Sequence, residues 1–514
     1  MTDALDLLLI MPEIVLALVG LVILGVDLFY LRRRADAQNR SNFLGYLGLI
    51  SLVVVSVASY LWGPNSLLQN SMPQLFAELI GRRAAFGGMF LVDGITQVFR
   101  VIFLLVAALV LLLSLDRAWG RHEGEYYALL IFAVLGMVLM TAAGELVTIY
   151  VALELTSISL YLLAAFDFRR RSVEAGLKYF LFGAFSSAIL LYGLSLVYGF
   201  TGTTTISGVV AVLREYGGQG LLAPEARGLL LGIVFLAAGL GFKLSLVPFH
   251  AWAPDVYEGA PTPITAFIST GSKAAAFVVV VRVFQQFLGP AAGTAGWLQW
   301  QGWAAVLGFL AVLTFTAANL MALLQQNVKR LLAYSSIAHA GYMLIGLALN
   351  SQQGSYALFY YLAAYIITNI GAFAAVIAVE RAVGGEELKH FAGLSKRSLP
   401  LAGALTILFL SLGGLPPLAG FYAKFGLFWA TFAQADMRWL AIAGLVNTVI
   451  AFYYYLRVLK AVWFEAPAED TPVVTSDAVL VTLSVTTGLV FLLGIVPLVV
   501  DPLLRGAVNA LPWG

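Results

Sequence analysis

Apolar residues run along this chain in stretches of about 20 or more, separated by short polar connections. Fourteen stretches are readable, at roughly 8–30, 43–62, 90–115, 126–142, 146–165, 174–199, 229–248, 262–288, 303–324, 329–349, 356–382, 399–433, 438–463 and 478–500. They are too long and too continuously apolar for strands, and a membrane barrel would show short alternating segments instead. A helix satisfies its own backbone groups where there is no water to do so, and about 20 residues cross the hydrocarbon layer. The pattern predicts an all-α polytopic membrane protein with about fourteen transmembrane helices.

Two stretches break the pattern. The run 399–433 would form roughly 50 Å of helix, against a hydrocarbon thickness of about 30 Å. It carries Gly413-Gly414-Leu415-Pro416-Pro417 in its middle, and each proline removes a backbone donor and clashes with the preceding turn. The segment 239–261, with Pro248, Pro254 and Pro261, predicts a second broken helix. The breaks fall in the seventh and twelfth stretches. A repeat with an odd number of spans reverses its direction in the membrane, so two inverted five-helix repeats are expected, at 126–288 and 303–463, each with one broken helix. Three N-terminal helices (1–125) precede them and a C-terminal helix (464–514) follows. Paired broken helices in corresponding halves point to a transport site.

Composition narrows the function. Hydrophobic residues make up 61% of the chain and charged residues 11%, against about 25% charged in a soluble domain; with mean hydropathy +0.92, a soluble enzyme is excluded. Cysteine is absent, which removes disulfides, thiolate iron–sulfur or zinc ligation and a cysteine nucleophile. His122, His250, His339 and His390 are scattered and suggest no metal cluster. No GxxxxGK[ST] loop and no strand–GxGxxG–helix context offers a nucleotide site, and a dispersed net charge of +2 gives no nucleic-acid footprint. Asp3 and Asp6 precede the first stretch where a signal peptide would be basic, so that stretch is expected to remain as a membrane helix. Placing the first connection (Arg32, Arg33, Arg34, Arg40) inside puts seventeen basic residues in inside connections, against six outside: Arg82, Arg83, Arg214, Arg227, Arg438 and Arg505. This bias puts both termini outside.

Six basic residues remain within spans: Arg100, Lys178, Lys243, Lys273, Arg282 and Lys424. A lysine at mid-membrane costs about 2.5–3.5 kcal/mol on insertion scales, so several in one chain need a shared reason. The functional reading is a line of protonatable groups in the membrane plane: Glu154, Lys178, Lys243, Lys273, His339 and Lys424. Glu154 is the most central acid, followed by hydroxyls at Thr156, Ser157 and Ser159 that could solvate it. Lys243 precedes Pro248, where a broken helix frees carbonyls for an ammonium or a water. Lys273 follows Ser269-Thr270-Gly271-Ser272, too deep to snorkel easily. Lys424 follows the second break. His339 lies mid-span, and imidazole titrates near about 6.5. Lys178, Arg100 and Arg282 lie near enough to span ends to snorkel. Arginine does not deprotonate in proteins, so Arg100 and Arg282 stand outside any proton path. An ammonium taken out of water releases its proton more readily and regains affinity when a carboxylate approaches. Moving Glu154 toward or away from Lys178 or Lys243 would therefore load and unload a proton for Lys273. With no ATP motif and no redox ligand in the chain, the energy must come from a partner or an ion gradient.

The stretches from Lys243 to Asp255 (KLSLVPFHAWAPD) and from Lys329 to His339 (KRLLAYSSIAH) resemble the antiporter-like membrane subunits of respiratory complex I, the NADH–quinone oxidoreductases, and of related sodium/proton antiporters. Gly414 to Phe425 (GLPPLAGFYAKF) is most similar to the N-type subunits. An M-type subunit would carry glutamate where Lys424 stands, and an L-type subunit would add a long lateral helix after the core. The resemblance covers nearly the whole chain. It implies fourteen core spans, two inverted repeats, a Glu154–Lys243 pair, a central Lys273, a connecting His339 and a terminal Lys424. It further implies proton translocation driven by redox chemistry elsewhere, with NADH, FMN, iron–sulfur clusters and quinone held by partner subunits and none by this chain. The implied surroundings are the lipid bilayer of a bacterial plasma membrane, other membrane-arm subunits including an M-type one, and small membrane subunits. A secondary cation/proton antiporter subunit, or the equivalent subunit of a ferredoxin-accepting photosynthetic complex, is the alternative.

Overall fold

A computed structural model describes residues 2–32, 36–61, 84–216, 227–288, 300–467 and 472–511. Arg33, Arg34, Arg82 and Arg83, used above in the charge bias, lie outside the described residues. The main helices are α1 (Thr2–Leu9), α2 (Met11–Val26), α3 (Ala37–Leu61), α4 (Gly94–Leu115), α5 (Glu123–Ala142), α6 (Leu146–Ala164), α7 (Arg170–Thr201), α8 (Ile206–Tyr216), α9 (Arg227–Lys243) and α10 (Trp252–Gly259). They continue with α11 (Thr262–Phe267), α12 (Lys273–Leu288), α13 (Trp300–Leu323), α14 (Val328–Ala348), α15 (Gln352–Val383), α16 (Leu399–Gly413), α17 (Ala419–Phe432), α18 (Arg438–Phe464), α19 (Asp477–Ile495) and α20 (Asp501–Asn509).

Among the described residues twelve helices are long and apolar enough to cross a membrane. The other two predicted stretches are not among these twelve. The stretch 229–248 becomes α9, which stops at Lys243, and 399–433 becomes α16 and α17 with a non-helical link between them. Side-chain caps set several boundaries. Asp93 accepts from the Thr96 N–H at 2.9 Å, so α4 starts at Gly94, and residues 90–91 form instead a short antiparallel pairing with 84–85. Asn327 accepts from the Arg330 N–H at the head of α14, and Ser351 accepts from Gly354 at the head of α15.

The centre of the bundle is a buried spine. Thr262–Phe287 and Val328–Ala348 are buried over their whole apolar windows and Gln352–Val383 over 89%. Lys273 lies on such a helix and is itself only 2% exposed, which decides against snorkelling for it. By contrast only 39% of the apolar windows of α7, α13, α18 and α19 is buried. Close approach within the spine is built into the sequence: a Cβ at Gly341 of α14 would lie 2.8 Å from the backbone nitrogen of Phe315 on α13.

Arg100 and Arg282 do not snorkel. Arg100 is buried against Glu13, with nitrogen and oxygen 2.6 Å apart. Arg282 grips Asp93 through two hydrogen bonds of 2.7 and 2.6 Å and donates to the Thr141 carbonyl. Both are static pairs that tie distant helices, because a guanidinium without a carboxylate partner could not be held so far from water.

Candidate functional site

Lys273 sits at the foot of α12, directly after a π-helical turn, Ile268–Ser272. Such widened turns are often functional, and here Tyr365 donates to the Ser269 carbonyl at 3.2 Å while Asn369 donates to the Ser269 hydroxyl at 2.8 Å. The Lys273 ammonium donates to the Ser336 carbonyl at 3.1 Å and the Ser336 hydroxyl at 2.5 Å. The Tyr257 ring lies 5.8 Å away. Ser336 belongs to α14, and that helix carries the next groups. His339 Nδ1 lies 2.7 Å from the Tyr361 hydroxyl and Nε2 lies 3.3 Å from the Tyr455 hydroxyl. Tyr455 in turn contacts Ser335, the neighbour of Ser336. On α14, His339 lies about one turn from Ser336, which receives Lys273, and one turn from Tyr342, whose ring faces Lys424.

Lys424 reaches back across the second break. Gly414 has φ +93° and ends α16. The Lys424 ammonium donates to the carbonyls of Leu412 at 3.1 Å and Gly413 at 2.8 Å, where the negative end of a helix dipole favours a cation. The ring of Tyr342, one turn beyond His339 on α14, lies 5.1 Å from it. A Cβ at Gly414 would lie 3.0 Å from Lys424 Cδ in a backbone conformation that L side chains avoid. Gly414→Ala is expected to cost about 1–2 kcal/mol from the left-handed φ alone and to displace Lys424. A lower thermal midpoint of the purified complex, together with weakened activity, would check this.

The first break behaves differently. The carbonyls it frees are taken by the chain itself: Phe242 O accepts from the Ser245 N–H and the Trp252 indole, and Gly241 O from the Leu246 N–H. Among the described residues the buried Lys243 ammonium has no hydrogen-bond partner. It faces the rings of Tyr161 and Tyr179, each 5.6 Å away, and Glu154 is the charged group that acts on it. Glu154, half-buried, accepts a hydrogen bond from Ser187. Lys178 is elsewhere. It is partly exposed and pairs with Asp255 and Glu174, each at 2.9 Å. Of the two lysines left open for Glu154, the structure brings only Lys243 under its influence.

Several groups were not singled out from sequence. Tyr361 and Tyr455 contact His339; hydroxyl-bearing aromatics recurring in apolar spans, as in Tyr453-Tyr454-Tyr455, were the available signal. Lys329 is a further buried lysine, donating to the Ala260 carbonyl at 2.9 Å. Its place beside a polar connection made it look like an ordinary inside charge. Among the described residues no three His, Asp or Glu side chains come together as a metal site.

Two broken spans with a buried lysine at each break, and a central helix whose serine, histidine and tyrosine lie beside Lys273 and Lys424, define an antiporter-like membrane subunit. Residues 143–451 match the family described as NADH:quinone oxidoreductase/Mrp antiporter, transmembrane. The NADH-quinone oxidoreductase subunit N of Dehalococcoides mccartyi is 39% identical over 498 residues, covering 95% of this chain and 96% of that one. A chain of respiratory complex I from Thermus thermophilus with bound aureothin superposes with TM-score 0.75 at 33% identity, covering 96% of this chain and all of that one. A chain of the Mrp complex from Dietzia shares the fold, with TM-score 0.81 at 19% identity and coverage of 99% and 98%. The chain belongs to the NADH-quinone oxidoreductase subunit N family.

Proposed function

We propose that this chain is a proton-translocating membrane-arm subunit of an NADH–quinone oxidoreductase, moving protons through Glu154, Lys243, Lys273, His339 and Lys424 while redox chemistry takes place on other subunits. One observation carries the reading. Lys273 meets Ser336, and His339 meets Tyr455, which meets Ser335, all buried and at hydrogen-bond length; Ser335 and Ser336 are neighbours on α14, and the Tyr342 ring on the same helix lies 5.1 Å from the Lys424 ammonium. A set of static ion pairs would need carboxylates beside these lysines; Arg100 and Arg282 have them, whereas Lys273 and Lys424 are met by carbonyls and hydroxyls.

Lys178 enters this scheme as a group that holds α10 rather than as the partner of Glu154. Of the two repeats, 126–288 supplies a broken span and the deep lysines Lys243 and Lys273, and 303–463 supplies a broken span and Lys424. The excess of basic residues in the inside connections supports a bacterial plasma membrane location with both termini on the periplasmic side. An M-type subunit and small membrane subunits are the neighbours this reading requires, with NADH, FMN, iron–sulfur clusters and quinone in the wider complex.

The test is donor-driven proton movement by the intact complex in sealed vesicles, with and without sodium. Translocation that follows NADH oxidation and ignores sodium is expected. Dissipation of an imposed pH gradient by added sodium, with no electron donor present, would favour a cation/proton antiporter instead.

A further inference from the structure

The short helix α10 lies between the first and central lysines. Its first residue, Trp252, stacks on Tyr179 with ring centroids 4.5 Å apart, and Tyr179 is one of the two rings under the Lys243 ammonium. Near its other end, Tyr257 faces the Lys273 ammonium. Helix α10 thus borders the surroundings of both lysines.

Charges from both halves of the chain hold this helix. Asp255 receives Lys178 of α7 at 2.9 Å and Arg330 of α14 at 2.7 Å. Glu258 receives the same Arg330 at 2.9 Å and Arg171 of α7 at 2.8 Å. Arg171 also reaches Glu386, beyond the end of α15, at 2.8 Å, and Glu174 shares Lys178. The ammonium of Lys329 closes the C-terminal end of α10 through the Ala260 carbonyl, where a cation complements the helix dipole. Lys329 and Arg330 stand at the head of α14, the helix that carries Ser336, His339 and Tyr342. One rigid element therefore both grips α10 and bears the middle of the proton line.

We propose that α10 is a latch between Lys243 and Lys273, and that Arg330 and Asp255 are the positioning residues that couple its place to α14. The inference rests on the proton-translocation reading above and adds a part to it. The pairs are partly exposed, so each alone is weak; two carboxylates sharing one guanidinium, with Lys178 on one and Arg171 on the other, make a network that sets a position. Burial raises the Asp255 carboxyl, but hydrogen bonds from Lys178 and Arg330 outweigh burial and hold it below its usual value of 3.8. A carboxyl lowered on folding contributes fully above its unfolded value and loses that contribution only as pH falls through the folded one. At neutral pH the latch is charged and closed, and it opens by movement of α14 or α7 rather than by protonation.

The test compares Arg330→Gln and Asp255→Asn with Lys273→Ala, all in the intact complex in vesicles. Amide hydrogen exchange over 252–260 is expected to speed up about tenfold in the two latch variants. Donor-driven proton translocation is expected to fall about threefold to tenfold, with Arg330→Lys recovering part of both, while donor oxidation by an artificial acceptor stays unchanged. Unchanged exchange, or faster exchange with full translocation, overturns the latch. If Arg330→Gln fails to assemble, Asp255→Asn, a near-isosteric change, carries the measurement. Full translocation by Lys273→Ala would overturn the functional reading itself, which separates that failure from failure of the latch alone.

Discussion

Replacing Lys273 by alanine is expected to leave the complex assembled and to abolish most of its donor-driven proton translocation. A positioned proton-transfer group contributes about a hundredfold or more to its step, and coupled electron transfer should fall with it. Assembly survives because two effects of similar size oppose each other. The variant loses hydrogen bonds from an ammonium to Ser336, worth about 1.5–3 kcal/mol. It also removes a cation from mid-membrane, relieving about 2.5–3.5 kcal/mol. Subunit content on native gels, read beside vesicle acidification, checks both halves of this expectation.

Arg282→Met is expected to do the reverse. It strands the Asp93 carboxylate, which in the intact protein is gripped by two hydrogen bonds from Arg282. Removing one partner of a buried pair costs about 3–5 kcal/mol, enough to lower the amount of assembled complex and its thermal midpoint. The double variant Arg282→Met with Asp93→Asn should recover most of the loss, since asparagine still caps α4 by accepting from Thr96 and leaves no charge behind. Whatever complex does assemble in the single variant should retain its translocation per electron. Opposite outcomes at Lys273 and Arg282 separate a charge that moves protons from a charge that joins helices.

That separation was only partly legible in the amino-acid sequence. The apolar stretches marked out the long helices, and the prolines near Lys243 and Lys424 marked the breaks, because both signals are local. The fate of Arg100 and Arg282 was not. Glu13 and Asp93 lie far from them in sequence, and distance from a span end suggested snorkelling where the structure has buried pairs. The same holds for His339, whose partners Tyr361 and Tyr455 are 22 and 116 residues away. The π-helical turn before Lys273 has no signature in Ser269-Thr270-Gly271, residues that occur equally in regular membrane helices. Two broken helices of similar sequence character also diverge. Carbonyls at the second break receive Lys424, while those at the first are consumed by the backbone and Trp252, leaving Lys243 to aromatic rings and Glu154. Sequence could place the lysines at breaks; which atoms meet them depends on how the chain turns after the break.

Proton release, as opposed to positive charge, is what the buried lysines must supply, and Lys273→Arg separates the two. Arginine keeps the cation and can still donate to Ser336, but it does not give up its proton. Translocation per electron should be measured in vesicles containing the assembled Lys273→Arg complex. A relay requires it to fall as far as in Lys273→Ala, with complex content unchanged. Wild-type translocation by Lys273→Arg would contradict the relay and leave Lys273 as a fixed charge that holds α12 against α14.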